Sequence, residues 1–187
     1  IILTGSQLPL GQVRTDGKEN LITAIEIASK KQNNYSVVNE VAIYFENQLF
    51  RGNRTTKVNS DHFDAFKSYN YPSLADIGVE INFNLNYLLK NKIKKLKYEK
   101  GFEPSINIVF FYPGIIIKNV IKLILSNSSK VVVLMSYGSG NLPIEKEFVE
   151  FLISTDKIFL NVSQCKAGKI EQEKYETGMQ LKKAGVI

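Results

Sequence analysis

The sequence is poor in the residues that build metal centres and disulfides. Its 187 residues include one cysteine, Cys165, one histidine, His62, and no tryptophan. One cysteine cannot form a disulfide within this chain, and this pair cannot complete a metal site of several Cys and His ligands. We therefore expect no metal, and the lone thiol fits a reducing compartment such as the cytoplasm. The favoured interpretations are a structural role for His62 and a buried core position for Cys165.

Long hydrophobic runs are also absent, because polar residues interrupt the apolar stretches. A membrane-spanning helix needs about 20 predominantly apolar residues. The sequence thus predicts a soluble protein with no membrane association. With 44% hydrophobic residues, the chain can bury one large core or two smaller ones.

Arginine is scarce although the net charge is +6 and the sequence pI is about 9.2. The arginines are Arg14, Arg51 and Arg54, and lysine supplies the rest of the positive charge. Arginine is the preferred residue for contacts to phosphates and bases, so we expect no nucleic-acid partner. The densest lysine run, residues 90–97, could contact an acidic partner. A solvated linker is favoured because no aromatic residue interleaves the run.

The first part of the chain alternates strand-like and helix-like segments. Residues 1–3 end a strand, and the loop 4–9 follows. Asp16 and Glu19 resemble a capping box with Asp16 as the N-cap. Apolar residues recur behind it at helical spacing: Leu21, Ile22, Ile25 and Ala28. The β-rich run 41–45 is followed by a turn at 46–48 that allows Leu49 and Phe50 to pair back.

The remainder of the chain predicts a second unit of the same class. We place a Lys- and Asn-rich linker at 85–104, between units 1–84 and 105–187. Strands are predicted at 106–112, 131–136 and 157–162, with helices between and after them. This rhythm predicts an α/β fold of parallel-sheet units with right-handed crossovers and helices on both faces.

Chemistry is expected in the loops after the strands, because ligands bind at the carboxyl ends of parallel strands. Ser6 lies in such a loop, but no Ser-His-Asp triad can be assembled around it. Lys57 ends the polar segment 52–57, and a lysine can act as a general base when burial lowers its pKa; a surface turn is the alternative. The loop 137–141 fits neither a dinucleotide fingerprint nor a nucleophile elbow, which leaves a ligand loop or a helix-entry loop.

Several segments taken together match one family. They are TGSQLP at 4–9, RTDG at 14–17, GNRTTK at 52–57 and YGSGN at 137–141, with further matches at 63–75 and 164–187. The segment GNRTTK is specific, whereas the glycine loop alone would not be. The chain resembles the type I, cytoplasmic-type bacterial L-asparaginases over nearly its whole length.

This resemblance implies an amidohydrolase with a larger N-terminal α/β domain and a smaller C-terminal one, each incomplete in these 187 residues. In the family a threonine hydroxyl attacks the side-chain amide of L-asparagine, ammonia leaves, and water releases aspartate from the acyl-enzyme. No metal or organic cofactor is needed. The threonine motifs precede the position of Ile1, so we expect this stretch alone to be an inactive fragment. The family also implies a homo-oligomer, a dimer or a tetramer.

Four positions take roles from the resemblance. Lys57 matches the catalytic lysine, and Ser6 matches a residue that contacts the substrate amide. Asn141 matches a loop asparagine that reaches the site of a neighbouring subunit. Thr56 matches a threonine that acts as an allosteric switch in some members, although a hydroxyl that caps the 52–57 loop is an equal interpretation. Met135 stands where some regulated members have an arginine, which favours weak or absent cooperativity.

Three other functions stay open at this point. The protein could be a glutaminase-asparaginase, or the asparaginase-like subunit of a tRNA-dependent amidotransferase. It could also be an inactive remnant with a binding or scaffold role.

Overall fold

The computed structural model describes residues 1–90 and 98–187 and divides the chain into two compact units, Ile1–Lys97 and Tyr98–Ile187. The division falls inside the segment predicted as a linker. The described parts of that segment, 85–90 and 98–104, contain no strand or helix. The lysine run predicted at 90–97 lies outside the described residues except for Lys90. The linker boundaries at 84 and 105 stay predictions.

In its described residues, 1–90, the first unit is built on a five-stranded mixed sheet and one α-helix, with a short 3-10 helix at Gly52–Arg54. Its elements are β1 (Ile2–Leu3), α1 (Gly17–Ser29), β2 (Lys31–Gln32), β3 (Tyr35–Ser36), β4 (Ala42–Phe45), β5 (Gln48–Arg51), β6 (Thr56–Lys57), β7 (Phe66–Lys67), β8 (Ala75–Ile77) and β9 (Ile81–Phe83). The sheet order is β1-β4-β5-β8-β9. Only β1 and β4 pair in parallel, and the other neighbours are antiparallel. The carboxyl ends of β1 and β4 therefore lie side by side.

The hairpin of β4 and β5 forms as the sequence predicts. Glu46 and Asn47 occupy the turn with φ of 41° and 61°. Positive φ at both central positions gives a turn whose twist matches that of the paired strands. The strands supply buried residues to the core of this unit, among them Tyr44 and Leu49.

The helix α1 is also confirmed, but it does not bury its apolar stripe. Its buried face consists of Gly17, Asn20, Ala24 and Ile27. The residues that recur at helical spacing in the sequence are exposed: Leu21, Ile22, Ile25 and Ala28. Both sets have helical spacing, so periodicity identifies the helix without selecting the face that meets the sheet.

The second unit has the predicted alternation of strands and helices. Its elements are β10 (Ile106–Phe110), α2 (Ile117–Ser126), β11 (Val131–Ser136), α3 (Lys146–Ser154), β12 (Ile158–Ser163) and α4 (Glu176–Lys183). The strands form a parallel sheet in the order β10-β11-β12. The α/β class with parallel strands is thus confirmed.

One face of this sheet carries the core of the second unit. Alternate strand residues and the helices contribute the buried side chains: Val109, Ile117, Val120, Ile121, Ile124, Val132, Leu134, Phe148, Leu152, Phe159 and Leu181. The alternating residues of the strands point the other way and are exposed or half-buried in the described structure: Ile106, Ile108, Phe110, Val131, Val133, Met135, Ile158, Leu160 and Val162. The presence of helices on this second face of the sheet therefore stays a prediction.

One ion pair among the described residues of the first unit is largely shielded from solvent. Arg51 pairs with Glu40, whose side chain is only 4% exposed, and a hydrogen bond from the guanidinium to Glu40 raises the pKa of Arg51. The guanidinium also donates to the carbonyl of Tyr87 and lies 4.3 Å from the centroid of the Tyr71 ring. Glu40 further accepts the N–H of Leu89. Through these bonds the pair connects β5 to residues 87–89, which follow the last strand of the sheet.

Replacing Arg51 with methionine should therefore destabilise the first unit by about 3 kcal/mol, because it leaves the Glu40 carboxylate buried without its counter-charge. Amide hydrogen exchange of β4 and β5 in increasing urea would measure the loss. The control is Lys30→Met, which breaks the exposed pair of Lys30 with Glu26 and should cost less than about 1 kcal/mol. Equal losses in the two variants would contradict the structural role of the buried pair.

Candidate active site

The loop after β1, residues 4–9, begins at the shared carboxyl edge of β1 and β4. The Thr4 hydroxyl donates to the carbonyl of Tyr44 on β4 at 2.9 Å. Ser6, which the sequence predicts as a substrate contact, is exposed on this loop. Ser6 therefore lies at the strand-end position where a parallel pair of strands presents ligand groups.

Asp16 holds this loop in place and does not act as a helix cap. Its carboxylate accepts the backbone N–H groups of Gln7 at 3.0 Å and of Leu8 at 3.1 Å. The prediction of an Asp16 cap is wrong because the backbone of Asp16 is already helical, at φ −77° and ψ −13°, and makes no capping bond. A true N-cap usually has β-region dihedrals. The Thr15 hydroxyl instead accepts the N–H of Gly17 at 3.0 Å.

Asn20 connects three segments around the same loop. It is 2% exposed, and its amide nitrogen donates to the carbonyl of Gly5 and to Asp16, both at 3.0 Å. Its amide oxygen accepts the N–H of Glu46 in the β4–β5 turn at 3.4 Å. Because the hydrogen-bonding groups of this buried amide are paired, its burial carries no unsatisfied polar atom.

Lys57 reaches the loop from the small antiparallel pair β6 and β7. Its amine donates to the side-chain oxygen of Gln7 at 2.9 Å and lies 5.8 Å from the centroid of the Phe66 ring. The Gln7 amide nitrogen donates to the carbonyl of His62 at 2.9 Å. Lys57 is exposed. The described residues therefore do not bury the lysine, although the general-base prediction from the sequence depends on its burial.

Thr56 is exposed beside Lys57, and its backbone pairs with that of Lys67. The structure assigns the loop-capping hydroxyl to Thr55, which donates to the carbonyl of Arg51 at 2.6 Å. The described residues thus give the capping role to Thr55 and not to Thr56, and the role of Thr56 as a switch stays a prediction.

A cleft of about 410 Å³ opens beside the Gln7 side of this loop, lined by Gln7, Leu8, Arg14, Ser60, Asp61, His62 and Phe63. The Asn59 side chain shapes its wall by accepting the N–H groups of Asp61 and His62. Gln7 and His62 are contacts that the sequence analysis did not assign. The position of Gln7, next to Ser6 in a strand-end loop, was the available signal.

In the second unit, Asn141 closes the glycine loop that follows β11. Its backbone exchanges two hydrogen bonds with Tyr137, both 2.9 Å, and its side chain accepts the Thr177 hydroxyl at 2.8 Å. Gly140 has a φ of 111°, which disfavours residues with a side chain. The Asn161 side chain on β12 donates to the carbonyl of Gly140 at 3.0 Å.

Gln164 and Cys165 follow β12 at the same edge of the sheet. The Gln164 amide nitrogen donates to the carbonyls of Phe111 and Met135, both at 2.7 Å, and so joins the ends of two strands. The sulfur-bearing Cys165 is exposed. The interpretation of Cys165 as a buried core residue is therefore wrong, because the residue lies beyond the end of its strand and not within it.

The described residues contain no group of three or more His, Cys, Asp or Glu side chains that could hold a metal ion. Within the same ranges, every helix falls short of the length and apolarity needed to cross a membrane.

Comparison with known proteins decides the family. A model described as "Asparaginase, N-terminal" matches residues 1–88, and one described as "Glutaminase/Asparaginase C-terminal domain" matches residues 105–187. The chain belongs to the asparaginase family. Its resemblance to the type I members is confirmed by L-asparaginase 1 of Escherichia coli K12, which is 39% identical over 190 residues, covering 100% of this chain and 54% of that protein.

Solved asparaginase structures match as well. L-asparaginase I from Vibrio cholerae superposes with a TM-score of 0.86 and 36% identity, covering 100% of this chain and 55% of that one. The thermostable L-asparaginase from Thermococcus kodakarensis gives a TM-score of 0.77 at 26% identity, over 100% of this chain and 55% of that one. The present chain thus spans about half the length of the asparaginases that it matches.

Asp16→Ala should loosen the loop 4–9 by removing the acceptor of its two N–H groups. A hydrogen bond to a charged group contributes about 2 kcal/mol, so the amides of Gln7 and Leu8 should exchange with solvent more than tenfold faster. Exchange measured by NMR would test this, with Asp61→Ala as a control on an exposed carboxylate. Unchanged protection of both amides in Asp16→Ala would refute the assignment.

Proposed function

We propose that the protein is an L-asparaginase that hydrolyses asparagine to aspartate and ammonia. The observation that carries this proposal is the meeting of Lys57 with the loop of Ser6, although the two lie about 50 positions apart in sequence. The amine and the hydroxyl-bearing loop converge at the carboxyl edge of β1 and β4. In a member of this family, that edge is where an amide substrate would be bound.

In the proposed reaction, a threonine hydroxyl attacks the carbonyl carbon of the substrate's side-chain amide. The proton of the hydroxyl passes to the basic groups of the site, which include Lys57. The C–N bond then breaks and the nitrogen leaves as ammonia, after it has taken up a proton. A water molecule cleaves the resulting ester, which releases aspartate and restores the hydroxyl. This scheme assigns the attacking threonine to none of residues 1–187, and Lys57 supplies the basic group.

Ser6 and Asn141 serve binding in this proposal. Ser6 is exposed at the strand end, where it can hydrogen-bond the substrate amide. Asn141 lies on a loop whose backbone is fixed at both ends by its own hydrogen bonds, and it would complete the site of a neighbouring subunit. No metal or organic cofactor enters the scheme.

The alternative substrates stay within the same chemistry. Two glutamyl-tRNA(Gln) amidotransferase D subunits, from Methanobrevibacter smithii and Thermoplasma volcanium, are 27% and 29% identical. Both values are below the 39% of the E. coli asparaginase. Rates on glutamine measured beside rates on asparagine would separate a glutaminase-asparaginase from the proposed enzyme, and activity on either would exclude an inactive remnant.

Regulation by asparagine is a further part of the prediction. Thr56 is exposed next to Lys57, so its hydroxyl is free to act as an allosteric switch. Met135, at the end of β11, offers no guanidinium to an effector carboxylate. We therefore favour weak or absent cooperativity.

A cytoplasmic location is proposed because the single cysteine fits a reducing compartment.

Lys57→Met in the full-length enzyme should lower kcat by a factor on the order of 10² or more, as loss of a positioned base does, with a smaller change in KM. Steady-state kinetics with asparagine would measure both. Lys67→Met is the matched control, since Lys67 lies across the same strand pair and its amine forms an exposed ion pair with Asp64. Near-normal turnover of Lys57→Met would remove Lys57 from the mechanism.

The full-length enzyme should also be a dimer or a tetramer, because Asn141 is proposed to act in a neighbouring subunit and closed homo-oligomers are the usual result of such contacts. Light scattering at assay concentration should give at least twice the mass of one chain. An active monomer would contradict the proposed role of Asn141.

A further inference from the structure

We propose that Gln7 is the positioning residue for the amine of Lys57. The loop 4–9, which carries Gln7, thereby fixes the position of this amine. This inference rests on the proposed function, since it concerns the residue that directs Lys57. Gln7 would act through Lys57 and not on the substrate.

The Gln7 side chain is the hydrogen-bond acceptor that the described residues offer to Lys57. The distance from the lysine amine to the amide oxygen is 2.9 Å, and within the described ranges Lys57 takes part in no ion pair with a carboxylate. The other contact of the amine is the distant ring of Phe66. A long lysine side chain on an exposed strand has many rotamers, so this single bond selects among them.

The orientation of the Gln7 amide is fixed from its other end. Its nitrogen donates to the carbonyl of His62 at 2.9 Å, and a carbonyl can only accept. The nitrogen must therefore face His62, which leaves the oxygen to face Lys57. A flipped amide would lose both bonds at once.

The backbone of Gln7 is fixed as well. The Asp16 carboxylate accepts its N–H with both oxygens at 3.0 Å, and Asn20 joins Asp16 to the carbonyl of Gly5 in the same loop. Buried Asn20 thus supports Asp16, Asp16 supports Gln7, and Gln7 directs Lys57. The chain of contacts runs from the core to the amine.

An uncharged partner suits a lysine that must accept a proton. A carboxylate at this position would keep the hydrogen bond but favour the protonated amine through its opposite charge. The amide oxygen orients the amine without a full negative charge. This distinction separates a positioning role of Gln7 from a merely structural one.

The test compares three variants of the full-length enzyme. Gln7→Met keeps the length of the side chain and removes the acceptor, whereas Gln7→Glu keeps an acceptor and adds charge. Gln12→Met is the control on an exposed glutamine of the segment that follows the loop. We expect Gln7→Met to lower kcat about tenfold with KM within about twofold of wild type. Gln7→Glu should displace the pH–rate profile towards higher pH, and Gln12→Met should change neither.

A readout without catalysis accompanies the kinetics. Acetic anhydride modifies lysine amines, and mass spectrometry gives the rate at Lys57 relative to Lys67 in the same molecule. Releasing the amine from Gln7 should raise this ratio several-fold in Gln7→Met and leave it unchanged in Gln12→Met. Melting temperatures of all variants would show that each one folds.

The outcomes are distinguishable. Wild-type kcat and an unchanged acetylation ratio in Gln7→Met would overturn the inference. A raised KM in Gln7→Met, together with an unchanged pH–rate profile in Gln7→Glu, would show that Gln7 only supports the local structure. This result would also overturn the inference. A wild-type enzyme that does not hydrolyse asparagine would refute the proposed function, whereas full turnover of Lys57→Met would refute only the role of Lys57. In either case the acetylation ratio would still report whether Gln7 holds the amine.

Discussion

The buried amide of Asn20 is the constraint on which the arrangement of the first unit depends. It lies on the inward face of α1 and bonds the loop after β1, the carboxylate of Asp16 and the turn between β4 and β5. A buried amide left without partners costs about 1–3 kcal/mol for each unsatisfied group. The helix, the loop and the hairpin must therefore adopt mutually consistent positions, and the place of Gln7 follows from them.

The second unit holds its strand-end loops by the same physical means. Asn161 and Ser163 on β12 donate to the carbonyls of the glycine loop, and Gln164 donates to the ends of the two neighbouring strands. Each donor is a polar side chain near the carboxyl end of a parallel strand. Backbone carbonyls in the loops at that end need hydrogen-bond donors, and side chains can supply them without further secondary structure. In both units, amide side chains fix the loops in which the proposed site residues lie.

Particular residues show where sequence reasoning succeeded and where it did not. The strands around 43, 108, 133 and 160 were predictable because β-rich apolar runs and their turn residues are local signals. The role of Asp16 was not, because a carboxylate before a helix can cap that helix or bond a remote loop, and the choice depends on the loop's position. The exposed face of α1 was hidden for a related reason, since two sets of residues on that helix share the helical period.

The sequence by itself determined the α/β class, the alternation of strands and helices in the second unit and, through its motifs, the asparaginase family. These depend on local periodicity, turn chemistry and short segments that can be read in order. Only the tertiary structure decided that the Lys57 amine meets Gln7, that Thr55 and not Thr56 caps its loop, and that Cys165 is exposed. Such contacts join residues that are remote in sequence or depend on side-chain direction, and both are set by how the sheets and helices pack.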